Sequence, residues 1–178
     1  MSLSAGPSNP TAASGTGWTT PTNIEGSSAY ATQSITAGNS GTTNELVGTT
    51  FGFSIPTNAT IVGIVFVLTR KVSSVSSFDV VTESINLLKA GVAAGTTLGP
   101  GSSWTGTTTD ETWGTSSSLW GTTWTPAQIN DSGFGAEITV DYDNEGAVSR
   151  TLSVQNYRLT VYYTLATSKA VCSQCIGW

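Results

Sequence analysis

Residues 59–70 read Ala-Thr-Ile-Val-Gly-Ile-Val-Phe-Val-Leu-Thr-Arg, the most strand-like stretch of the chain. The run is apolar at both parities and rich in β-branched side chains. Such side chains are stiff at χ1 and fit a pleated surface better than a helix. Pro56-Thr57-Asn58 punctuates its start. Length, branching and punctuation together predict a central strand covered on both faces. The most apolar part, residues 61–68, is far shorter than the ~20 residues a bilayer-spanning helix needs.

Shorter elements flank it. Residues 29–35 alternate as a first strand, and residues 46–53 read as a second. Residues 80–89 alternate again, with Ile85 and Leu87 on one face. Residues 91–114, rich in Gly, Thr and Ser, read as a long loop carrying Trp104 and Trp113. Thr125-Pro126-Ala127-Gln128 has the pattern of a one-turn helix: Thr at the cap, Pro at the first helical position, Gln at the third. Gly133 is expected to end it. A strand at residues 134–140, a turn at residues 143–146 and a last strand at residues 156–165 follow. Many short strands with Gly/Ser/Thr turns predict an all-β fold, an antiparallel β-sandwich of jelly-roll kind. Residues 1–17 are expected as an N-terminal arm, residues 18–165 as the sandwich domain, and residues 166–178 as a C-terminal arm.

The chain has 178 residues, enough to bury a self-sufficient core. Charged residues make up 10%, against a usual ~25%. Ser and Thr fill roughly a third of the chain, so the surface is hydroxylated rather than charged. The six Lys and Arg are scattered and the net charge is −5, which argues against nucleic acid and against an anionic membrane as partners. The N-terminus has neither a basic nor an apolar signal region, so synthesis in a cytosol without export is expected.

The chain contains no His, which removes Ser-His-Asp and Cys-His catalysis. Asp110 and Glu111 lie near Trp104 and Trp113, but adjacent carboxylates in a loop are a poor match to the paired acids of glycoside hydrolysis. No enzyme, catalytic set or cofactor is expected. Asp141, Asp143, Glu145 and Gly146 occupy the first, third, fifth and sixth positions of an EF-hand-like calcium loop. Leu152 stands where the twelfth-position Glu should be, so a hairpin turn is the preferred reading and calcium the alternative. Cys172 and Cys175 form a CxxC, half of a zinc site, and are read instead as thiols in an arm that meets a neighbour with Ile176 and Trp178. Trp104 and Trp113 are expected to be exposed, as interface anchors or, alternatively, as stacking faces for glycan rings.

Four segments carry a family resemblance: residues 17–24 (GWTTPTNI), 53–64 (FSIPTNATIVGI), 119–135 (LWGTTWTPAQINDSGFG) and 157–163 (YRLTVYY). In that order they resemble a family of bacteriophage virion proteins that decorate capsids or associate with tails. The resemblance implies a β-sandwich on a phage particle with no catalytic residues to carry over. It implies contacts to a major capsid protein or other virion subunits. Homo-oligomers, trimers at three-fold positions above all, would follow. A capsid decoration (cement) protein is the expected function, and a tail or fibre domain binding host-surface glycans is the alternative.

Overall fold

The computed structural model describes residues 1–166. Its strands are β1 (Ser2–Ser8), β2 (Ala12–Ser14), β3 (Ala31–Ile35), β4 (Ser40–Thr42), β5 (Leu46–Thr49), β6 (Ala59–Val72), β7 (Phe78–Lys89), β8 (Val92–Leu98), β9 (Thr109–Thr115), β10 (Gly135–Asn144) and β11 (Arg150–Leu165). A 3-10 turn, Pro21–Ile24, precedes β3, and one short helix, α1 (Pro126–Ile129), precedes β10.

β6 is central, as its composition predicts. It pairs antiparallel with β11 on one side and β9 on the other. Its inward parity, Ile64, Phe66 and Leu68, is fully buried. One sheet runs β1-β11-β6-β9, with β3 also on β11. The other runs β2-β5-β10-β7-β8, with β4 also on β10. All these pairings are antiparallel. Take β4 and β5 as one interrupted strand and number from β3. The first sheet then holds the first, eighth, third and sixth strands in spatial order, and the second holds the second, seventh, fourth and fifth. That is the two-Greek-key order of a jelly roll. The sandwich closes over Ile85, Leu87, Ala136, Ile138 and Val140 from the second sheet, with Tyr157 reaching across from β11 to donate to the Leu46 carbonyl at 2.7 Å.

The structure departs from expectation where sequence periodicity is absent. Residues 1–17, read as an arm, supply β1 and β2, one to each sheet. β1 is built of Ser, Leu, Ala, Gly and Pro and is held by backbone pairing, so it carries no alternating apolar signal. Gly6 is required there: at φ 100° it passes so close to β11 that a Cβ would lie 2.5 Å from the Leu159 carbonyl oxygen. The expected loop of residues 91–114 holds β8 and nearly all of β9, both edge strands, β8 mostly exposed and β9 alternating between half-buried and exposed side chains. The last strand starts at Arg150, earlier than expected, because β3 pairs with its first residues. The capping box at Thr125 and Gln128 forms as predicted, but α1 stops at Ile129 and Asn130 caps it.

Candidate interaction surfaces

The Trp-bearing segment folds inward. Trp104, expected to be exposed, is 2% exposed; its Nε1 donates to Thr82 Oγ1 at 3.0 Å, and the Arg70 guanidinium lies 5.5 Å from its ring centre. Trp113 is half-buried on the inner parity of β9, its ring 6.1 Å from that of Phe66. Trp120 donates Nε1 to the Ile64 carbonyl at 2.9 Å, and Trp124 donates to Leu119 O at 3.0 Å. Strand alternation on β9 gives the reason: Trp113 and Glu111 share the core-facing parity with Thr109, and the segment carrying Trp104 runs beside β7. Buried in this way, Trp104 has no free ring face to stack on a sugar.

The same alternation separates Asp110 from Glu111. Glu111 points inward and pairs with buried Arg70 at 2.6 Å, while its other oxygen accepts from Ser102. Asp110 points outward and is held by Thr69 Oγ1 at 2.6 Å and by Arg158. Burial raises the Asp110 pKa, but these hydrogen bonds and the Arg158 charge outweigh it and leave the carboxyl below its ordinary value. Two carboxylates on opposite faces of one strand cannot flank a scissile bond. Arg70 is the functional-looking residue that the sequence reading passed over. Its signal was parity: it continues the buried 64-66-68 series of β6, where a cation needs a partner.

The calcium reading fails on backbone conformation. Residues 141–144 are the end of an extended strand rather than a coordinating loop, and Asp143 sits opposite Asp79 with Asp141 on the same face. Asn144 is fully buried and donates to the carbonyls of Thr36 and Val148, both at 3.1 Å. Among the described residues no group of three or more His, Cys, Asp or Glu side chains is arranged to hold a metal ion. The acidic face bounds two open depressions of about 280 and 340 Å³, one against Val75 and Glu145, the other against Ser103 and Asp141. Cys172, Cys175, Ile176 and Trp178 lie outside the described residues.

Exposed apolar side chains gather at the ends of the sandwich. Val75 and Val148 mark one end, in the loops after β6 and before β11. Met1, Leu3, Val92 and Leu165 mark the other. Strand pairing places Leu3 and Leu165 near each other in the first sheet, Leu3 opposite Tyr163 and Leu165 opposite Ala59, while Val92, opposite Lys89, lies on the edge strand of the other sheet. The chain leaves β11 at this end to continue into residues 167–178.

No family model matches this chain. No curated protein matches it either. Among solved structures, one described as "CBM4 structure and function" is similar at 17% identity over 73% of this chain and 82% of that one, with a TM-score of 0.40.

Proposed function

We propose that this chain is a non-enzymatic structural protein of a bacteriophage virion, a capsid decoration protein that stabilises the particle through subunit contacts. One observation carries the reading: the chemistry-bearing side chains of the Trp segment are consumed internally. Trp104, Arg70, Glu111 and Trp120 all bond within the domain. The sandwich leaves apolar contact points at its ends instead, with Leu3 and Leu165 beside the exit of the chain. The sequence resemblance supplies the particle. A rigid jelly roll that adds ~1,600 Å² of buried interface per contact stabilises a shell by mass action, without chemistry.

The test is cryo-EM of particles that carry the chain, with a variant lacking residues 167–178 beside the full-length protein. Ordered density on the capsid surface, lost or weakened in the truncated variant, supports the reading. Absence from purified particles, or density confined to the tail, overturns it.

A further inference from the structure

β6 is apolar on both faces, yet the sandwich uses only one of them. Ile64, Phe66 and Leu68 fill the core, while Val65 and Val67 alternate with them onto the outer face and stay half-buried. On that face Val65 lies opposite Thr160, and Val67 lies between Arg158 and Thr112. Tyr162, one step along β11, faces the same way beside Gly63. The turn after β9 presses on Gly63 so closely that a Cβ would lie 2.2 Å from the Ser116 carbonyl carbon, and this turn walls the face at one end. Val65, Val67 and Tyr162 make this face more apolar than the Ser- and Thr-rich surface around it, and the Arg158–Asp110 ion pair bounds it at the other end.

We propose that this outer face is the docking site for the chain's own residues 167–178 in the free protein. The segment starts two residues beyond Leu165, past the end of the strand that carries Tyr162 and Thr160. Twelve residues reach up to ~40 Å, whereas the stretch from Thr164 back to Arg158 spans about 20 Å of β11. The segment can therefore turn once and run back along the whole face. Its composition suits the site: Val171, Ile176 and Trp178 are apolar, and Lys169 is its one charged side chain. A short tether holds it at an effective concentration on the order of millimolar, which outcompetes a second copy at micromolar protein.

Disulfide mapping tests this directly, because the segment brings its own thiol. A V65C/C172S variant leaves Cys175 as the native partner, and V47C/C172S, on the outer face of the other sheet, is the matched control. Both are purified as monomers, oxidised mildly and digested for mass spectrometry. The proposal expects a disulfide within one chain between positions 65 and 175, at least tenfold more abundant than the link at position 47. No link at position 65, equal links at both positions, or links only between copies would each overturn it. As a second readout, deleting residues 167–178 should raise binding of an apolar fluorescent dye several-fold, and V65T/V67T in the deleted chain should reverse the rise. A deletion that leaves dye binding unchanged also sinks the proposal.

Discussion

Asn130 grips Ile55 by both backbone groups. Its Oδ1 accepts from Ile55 N at 2.8 Å, and its Nδ2 donates to Ile55 O at 2.9 Å. One side chain thus imitates a paired strand and ties the segment before β6 to the end of α1. Beside this clasp, Phe134 meets Phe51, Phe53 and Trp124 edge-on, with ring centres 5.5–6.3 Å apart. Residues 119–135 are therefore scaffolding: Trp120, Thr125, Gln128 and Asn130 each make a hydrogen bond that holds this corner.

Asn130→Ala should lower stability by about 2–4 kcal/mol, since two hydrogen bonds vanish and both Ile55 backbone groups lose their partner. A urea unfolding series reads this as a lower midpoint at unchanged slope. A loss below ~0.5 kcal/mol would mean that water replaces the clasp.

Arg70 and Glu111 form a buried pair, with side chains 2% and 15% exposed. Arg70→Met alone should cost about 3–5 kcal/mol because it strands the Glu111 charge inside. Adding Glu111→Leu should recover much of that loss. A double-mutant cycle checks this, and additive losses would refute the coupling.

Asp110 supplies an acid-side dependence. Its folded pKa is lowered by Thr69 and Arg158 against the opposing effect of burial. The unfolded chain then binds the proton more readily, so this stabilisation is present above the ordinary carboxylate value and fades as pH falls through the folded one. The side chain is 51% exposed, so solvent screening keeps the effect small. In thermal melts between pH 5 and 2, Asp110→Asn should flatten part of the decline, and an unchanged profile would rule the contribution out.

Tyr157 supplies the alkaline counterpart. Burial, and then the Glu137 charge, push its phenol well above the ordinary value. Above about pH 10 the unfolded chain releases this proton while the folded chain keeps it, so stability falls as pH rises. Tyr157→Phe should remove that slope while costing about 1 kcal/mol at neutral pH for the lost bond to Leu46 O. Unfolding midpoints from pH 8 to 11.5 read both effects.

Gly63→Ala should destabilise the turn after β9, because the atom it would meet is backbone and cannot rotate away. The expected readout is a lower melting temperature with faster amide exchange in residues 115–118. Retained exchange protection would show that the turn shifts at little cost.

The fold class, the central strand and the capped turn of α1 were legible in the amino-acid order alone. Each of those signals is local: β-branching in β6, and Thr, Pro and Gln at fixed offsets in the capping box. The sequence also determined which catalytic chemistries lack their residues, because a chain without His cannot assemble them. Tertiary structure alone decided which side chains are spent and which remain free. Trp104, read as an exposed anchor, is buried because its segment folds back along β7, where its partner Thr82 lies 22 positions earlier. Asp110 and Glu111, neighbours in the chain, face opposite ways because β9 pairs with β6. β1 was invisible because its partner is the last strand, and backbone pairing across the whole chain leaves no mark on side-chain composition.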